Sequence, residues 1–600
     1  MCGINGIVLK KKNNIKLRIE KMNLSLKHRG PDATDIVVLE NELLAMGHRR
    51  LSIIDLDKRS TQPMRSNSGR YIIVFNGEVY NYKELKALTD YDYRTDSDTE
   101  VILAYVEKYG FEEFLNRSNG MFAIALYDTE KKELLLARDR MGIKPLYYYY
   151  DSECLVFSSE VKGVLNSGLV KAVLDKESLD DYFAYRYCRE PYTFFENIKQ
   201  VNAASYLKIC QDTVEECVYW EIPNKFNEEK VYDEELILNK FEQMLESSVK
   251  RRMMSDVPLG TYLSGGVDSS ILTAIVAANT EEKINTYTIG FDELNEFDYS
   301  DMVADRYNTS HHKIKMSQED YFNVLEEVIE YKDAPLGIPN EVPLAVMSRE
   351  LKKKITVVLS GEGADELLGG YGRIFRAPFD YKNGKSNDFY DYFIHKYEYV
   401  NRKLRDKILV NNRRNEYDKK VRKVFEEHSN EYNVFYFFHK YHVKGLLQRV
   451  DITTMLTGVE ARVPFLDHEL IEFVYEQVPY SMKLKWKEDV DIEWIKDKSA
   501  KEYSEVFDIP KYILKKMAYK YLPEEVIERR KVGFPVPLVQ WEKQMEEMFL
   551  ELYKYSIMGP LSGKEIIDLC KKENNYAQIL WMLLNLSIFV NKYFDKEWRW

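Results

Sequence analysis

The chain has 600 residues, 45% hydrophobic and 31% charged, with 86 Lys and Arg against 98 Asp and Glu for a formal charge of −12. At ~100–200 residues per domain that length suits two to four domains, and the apolar content excludes a wholly disordered chain. The acidic balance argues against nucleic acid as the main partner, because phosphate binding needs a basic field. In chain order, the first ~210 residues carry short β-like runs (YIIVFNGEVY, MFAIALYD, KELLLARDR, PLYYYYD, ECLVFSS) split by polar turns, with one helical stretch, DTEVILAYVEKYGFEEFL. Helices layered on mostly antiparallel strands give an α+β domain. The charged, non-periodic segment EIPNKFNEEKVYDEE after Trp220 reads as a linker. From 257 strands and helices alternate through VPLGTYLS, DSSILTAIVAAN, KINTYTIGF, DYSDMVADRYN, HHKIKM, two further helices and ITVVLS, the pattern of a parallel α/β sheet. Beyond 379 the chain is mostly helical, and 379–440 is expected to be a solvated helical insertion. His439 and His442 are expected on a helix surface. The 45 Tyr are assigned to packing.

No apolar run nears the ~20 residues of a membrane span, and the start lacks the pattern of a secretory leader. Six cysteines, at 2, 154, 188, 210, 217 and 570, form neither a C-x-x-C pair nor a dense framework, so a reducing cytoplasm is the expected setting.

Three short segments carry chemistry. Cys2 follows the initiator Met; once that Met is removed, thiol and α-amine share one residue, and an amine of pKa near 7.7–8.0 can serve as the base for the thiol. LSGGVDSS (263–270) lies between a predicted strand and helix, where glycines let backbone approach a ligand and N–H groups face it from a helix start. It reads as a phosphate loop, although it has neither G-K-[ST] nor G-x-G-x-x-G. A second cluster, Ser360-Gly361-Glu362-Gly363-Ala364-Asp365-Glu366, follows the strand ITVVL at the end where open α/β sheets bind ligands. Asp268 and Asp365 are candidate Mg²⁺ ligands, and Glu362 a candidate acid/base or positioning carboxylate.

Met-Cys-Gly-Ile at the start, HRGPDA (28–33), HRRLSIIDL (48–56), YIIVFNGEVYN (71–81), YRTDSDTEVIL (93–103) and RDRMGIKPLYY (138–148) together resemble the class II glutamine amidotransferase domain over residues 2–205. SGGVDSS, VLSGEGADELLGGY, TTMLTGVEARVPFLDHEL (453–470) and RRKVGFPVP (529–537) extend the resemblance to glutamine-hydrolysing asparagine synthetase over nearly the whole chain. It implies an αββα sandwich of the amino-terminal-nucleophile type at 2–210, a linker at 211–235, and a doubly wound parallel-sheet ATP pyrophosphatase domain with a helical C-terminal part at 236–600.

By position, the resemblance makes Cys2 the nucleophile, Asn76 and Gly77 the oxyanion hole, and Arg50, Leu51, Ser52, Ile53, Ile54, Asn76, Gly77, Glu78 and Asp98 the glutamine site. Leu263, Ser264, Gly265, Gly266, Val267, Asp268, Ser269, Ser270, Ile289, Ser360 and Gly361 would bind ATP, with Glu362 and Lys531 catalytic and Mg²⁺ on Asp268 and Asp365. The implied substrates are L-glutamine, ATP and L-aspartate, adenylated to β-aspartyl-AMP and then aminated. The same chemistry on another carboxylate, such as a sugar uronic acid, is the alternative. The partners are small molecules rather than nucleic acid or membrane, with room for a homodimer. Two stretches, 333–348 and 379–440, depart from the family pattern.

Overall fold

The computed structural model describes residues 2–594 except 12, 211–212, 230, 293, 385–387, 410–412, 531–532, 534 and 554–559. Two antiparallel six-stranded sheets form the amino-terminal part. The first runs in the order Ile198–Gln200, Tyr147–Tyr150, Cys154–Ser158, Gly3–Leu9, Leu44–Arg50, Ala33–Leu39. The second runs Thr213–Val218, Ser205–Cys210, Glu133–Arg138, Gly120–Asp128, Tyr71–Val79, Met64–Arg65. Strand alternation sends Ile4, Met46 and Phe157 of the first sheet against Ile72, Val74, Ala123 and Ala125 of the second, so the sheets stack face to face. Helix Ile15–Ser25 lies on the first sheet and Asp98–Tyr109 on the second, completing four αββα layers. Arg50 is the last residue of strand Leu44–Arg50, and 51–57 is a loop followed by a short 3₁₀ turn at Lys58–Ser60.

Residues 221–229 have no regular structure, yet they are fastened down. Trp220 Nε1 donates to Glu472 at 2.8 Å, and the Asn227 amide to the Tyr475 carbonyl at 2.9 Å. Helix Glu234–Arg252 follows, capped by the Asp233 side chain.

The third sheet is wholly parallel, in the order Ser310–Lys315, Asn285–Gly290, Leu259–Tyr262, Val357–Leu359, Glu460–Arg462. The chain runs outward from Leu259–Tyr262 in one direction and then returns to its other side. That reversal leaves the loops after Tyr262 and Leu359 side by side at the carboxyl edge, where a crevice opens. The fifth strand is three residues long, too short for its sequence to announce.

The 379–440 stretch is helical as expected but not solvated. Phe389, Phe393, Phe425, Phe435 and Phe437 are buried, with Phe393 and Phe437 rings 5.0 Å apart. Its basic residues are interface residues: Arg405 pairs with Asp180 at 2.8 Å and Arg414 with Glu177 at 2.8 Å, both on helix Glu177–Tyr185 of the amino-terminal part. Composition alone hid this because Lys and Arg look the same whether they face water or a partner. Among the described residues no helix is long and apolar enough to cross a membrane.

Candidate functional site

Cys2 precedes strand Gly3–Leu9 and is buried. Its backbone N–H donates to Asn76 Oδ1 at 2.8 Å, and its Sγ lies 3.9 Å from the Leu51 carbonyl. Burial pushes the thiol above its ordinary value, while the Leu51 contact and the Arg50 charge pull it down. Asn76 is fully buried on strand Tyr71–Val79, and with Oδ1 committed to Cys2 its Nδ2 has no partner among the described residues. A buried amide donor left unpaired is costly unless a ligand accepts from it. Gly77 has a positive φ, and a Cβ there would fall 2.0 Å from the Met121 carbonyl oxygen, so only glycine keeps the backbone in place.

Glu78 is buried with Oε2 unpartnered, and burial pushes its carboxyl well above the usual range, Glu460 and Asp98 adding to the rise. Asp98 opens helix Asp98–Tyr109 one residue after its Ser97 cap, and its Oδ2 accepts from the Val79 amide at 3.0 Å. Burial raises it to about 6. Arg50 donates to the Asp57 carbonyl at 2.7 Å and to that of Asp55, so its guanidinium gathers the loop that carries Leu51, Ser52, Ile53 and Ile54. Leu51, Ile53 and Ile54 are buried, and the Ser52 amide donates to Asp32 at 2.8 Å.

The second site lies at the crevice of the parallel sheet, in a cavity of about 620 Å³, within the range of small-molecule sites. The Leu263 N–H donates to the Tyr287 carbonyl at 2.8 Å, and Ile289 stands beside it on the next strand. Gly265 has φ +73°, and a Cβ on it would meet Tyr299 Cβ at 2.6 Å. Gly266 caps helix Val267–Ala278, placing Asp268, Ser269 and Ser270 in its first turn, where backbone donors face the cavity. Ser269 Oγ accepts from the Ser264 amide at 3.1 Å, and Ser270 Oγ is buried without a partner among the described residues. Ser360 and Gly361 close in from the adjacent strand; a Cβ on Gly361 would lie 3.1 Å from that of Asp268.

Three contacts here have no signal in the sequence. Lys511 Nζ sits between Asp268 (2.7 and 2.8 Å) and Asp365 (3.0 Å). Arg449 pairs with Glu362 and donates to Asn340 Oδ1 at 3.0 Å. His442 and Tyr397 join the wall at 2.7 Å from each other. His439 and His442 are both buried, against the surface expectation: His439 Nδ1 meets the Tyr475 hydroxyl at 2.9 Å, and burial lowers the ring to about 3. No helical periodicity marks either residue as inward. The structure thus gathers Cys2, Arg50 to Ile54, Asn76 to Glu78 and Asp98 in one site, and 263–270, Ile289, Ser360 to Glu362 and Asp365 in another. Lys531 lies outside the described residues.

Asp268 and Asp365 offer hard oxygens to one point, at which the Lys511 ammonium stands as a cation. A pair of carboxylates completed by phosphate oxygens is a donor set that fits Mg²⁺.

Residues 240–589 match the model of the asparagine synthase family, and residues 1–220 that of a glutamine amidotransferase domain. An asparagine synthetase [glutamine-hydrolyzing] 1 of Bacillus subtilis is 30% identical over 100% of this chain and 98% of its own. A putative asparagine synthetase [glutamine-hydrolyzing] 2 of Methanocaldococcus jannaschii is 37% identical over 62% of this chain and 76% of its own. Asparagine synthetase B [glutamine-hydrolyzing] of Escherichia coli is 34% identical over 63% and 66%. With one family model across more than half its length and a relative aligned end to end, the chain belongs to the glutamine-hydrolysing asparagine synthetase family of carbon–nitrogen ligases.

Proposed function

We propose that the chain makes L-asparagine from L-aspartate, ATP and glutamine, with residues 2–210 as the glutaminase domain, 211–235 as the linker and 236–600 as the synthetase domain. Once Met1 is removed, the α-amine of Cys2 takes the thiol proton and Sγ attacks the glutamine amide carbon. Asn76 Nδ2 and the Gly77 N–H receive the developing oxyanion. Arg50 pairs with the glutamine α-carboxylate, and Glu78 and Asp98 receive its ammonium, whose charge holds both carboxyls ionised. Ammonia leaves, and water releases glutamate from the thioester.

In the crevice, 263–270, Ile289, Ser360 and Gly361 seat ATP, with Lys511 and Lys531 countering phosphate charge. Asp268 and Asp365 would hold Mg²⁺, which when bound supplies further positive charge to the polyphosphate. The aspartate β-carboxylate attacks the α-phosphorus, pyrophosphate leaves, and ammonia then displaces AMP from the acyl carbon with Glu362 positioned to accept a proton. Six free cysteines fit a reducing cytoplasm as the setting.

The observation that carries this reading is the convergence of Asp268 and Asp365 on Lys511 beside the 263–270 loop, in the same chain as the Cys2–Asn76 pair. ATP–pyrophosphate exchange driven by L-aspartate, with asparagine identified by mass spectrometry, tests it. Absence of exchange at millimolar aspartate would remove aspartate as the acceptor.

A further inference from the structure

Arg186 closes helix Glu177–Tyr185 at φ 72°, a left-handed conformation uncommon for a residue with a side chain. Such residues persist where the surroundings over-determine them. Here they do. The Arg186 carbonyl oxygen lies 2.3 Å from where a Cβ on Gly337 would fall, so the 333–339 segment packs directly on it. The helix before it is gripped by Arg405 and Arg414 of the 379–440 stretch. The side chain crosses from the amino-terminal part into the wall of the synthetase cavity.

Contacts order that wall. Lys511 joins Asp268 to Asp365. The next residue, Glu366, accepts from the Tyr371 hydroxyl at 2.7 Å and lies 3.7 Å from His442 Nε2. His442 Nδ1 meets the Tyr397 hydroxyl at 2.7 Å, and the Arg186 guanidinium stands beside that hydroxyl. Arg186 is thus at the far end of a continuous polar wall from the phosphate loop.

Three other cations of the cavity are paired, and a fourth, Lys515, lies on the Lys511 side. Lys511 has its two aspartates, Arg449 has Glu362 and Arg529 has Glu296. Lys515 follows Lys511 by one helical turn, at the nucleotide end. Arg186 has no carboxylate within 4.0 Å among the described residues, and its guanidinium is steadied over the Tyr399 ring, 5.0 Å from the centroid.

We infer that Arg186 binds the carboxylate of the acceptor that is not adenylated, and so selects the acceptor. A planar guanidinium matches a carboxylate with two parallel hydrogen bonds. Because Arg186 comes from the amino-terminal part, the synthetase pocket is incomplete without it. This rests on the aspartate-adenylating reading above and adds the residue that selects the acceptor.

The test is ATP–pyrophosphate exchange by the full chain with L-aspartate and with β-alanine, which lacks the α-carboxylate. The unmodified enzyme is expected to accept aspartate and reject β-alanine. Arg186→Gln should raise the KM for aspartate about 10- to 100-fold, the loss of a hydrogen-bonded charge pair, and leave the KM for ATP and glutamine hydrolysis unchanged. Arg186→Lys should fall between the two, and carries the same test if the Gln variant loses glutaminase activity through misfolding. An unaltered aspartate KM in both variants overturns the inference and leaves asparagine synthesis standing. If another dicarboxylate drives exchange and aspartate does not, the asparagine reading falls, and the inference holds only if Arg186→Gln weakens that acceptor. Exchange driven by monocarboxylates alone, or by no carboxylate, overturns both.

Discussion

Arg462 of the parallel sheet reaches Glu78 of the glutaminase, Nη2 to Oε1 at 3.7 Å, while its own carbonyl accepts from the Ser360 amide at 2.9 Å. One fully buried residue therefore touches the Cys2 site with its side chain and the crevice of the parallel sheet with its backbone. Its Nε also holds Glu460 at 2.7 Å, so a single cation faces two buried carboxylates. Removing one partner of a buried pair strands the other, at about 3–5 kcal/mol. Arg462→Met should lower the urea midpoint by a corresponding amount, and an unchanged midpoint would contradict this account of the interface.

The two reactions should separate by mutation. Cys2→Ala is expected to abolish glutamine-dependent synthesis and keep synthesis from added ammonium. Asn76→Ala should lower glutaminase kcat by about 10²–10³, the loss typical of one oxyanion donor, again sparing the ammonium reaction. Assaying both nitrogen sources on each purified variant decides it; equal loss of both activities in a folded variant would sink the two-site model.

Asp98 sets function against stability. Its folded pKa of about 6 lies above the ordinary 3.8, so the folded state binds more protons than the unfolded one between those values. Stability from this group is therefore present at low pH and lost as pH rises through about 6. Asp98→Asn should raise the melting temperature at pH 7.5, with the gain fading toward pH 4, and should raise the KM for glutamine. Thermal melts across that range, beside glutaminase kinetics, measure both halves.

Asp268→Asn should depress adenylation strongly, because it removes a charge from the carboxylate pair around Lys511. The products in the unmodified enzyme are expected to be AMP and pyrophosphate. Finding ADP and inorganic phosphate instead would refute the assignment of the 263–270 loop.

Lys483 is fully buried, its Nζ has no hydrogen-bond partner among the described residues, and it lies 3.9 Å from the Phe226 ring centroid. Burial depresses its pKa well below the ordinary 10.5. The unfolded chain then binds the extra proton, so this site loses stability as pH falls from 10.5 toward the depressed value. Lys483→Met should therefore raise the melting temperature at pH 7, with the advantage narrowing as pH approaches 10. Calorimetry at the two pH values checks it.

The layers of both main parts were legible because strand alternation and helix periodicity are local. Cys2, Asn76 and the 263–270 loop were legible because their chemistry demands particular residues at particular spacings. Lys511, Arg449, Arg186 and His442 were not, since each reaches its site through long-range packing and each is an ordinary basic residue in a helical or turn context. The 379–440 stretch misled for a related reason. Its charges satisfy distant partners, as Arg405 does with Asp180, 225 residues away, and composition cannot separate such a residue from one facing water.

The grip of Arg405 and Arg414 on helix Glu177–Tyr185 bears on how this chain can be recombined with its relatives. A swap that cut at the linker would set Arg405 and Arg414 against whatever residues a foreign glutaminase carries at the positions of Asp180 and Glu177, and would replace Arg186 in the cavity wall at the same stroke. The transferable unit is therefore discontinuous: the amino-terminal part together with 379–440. Inheritance of acceptor preference should follow that composite block rather than the boundary drawn by the two sheets.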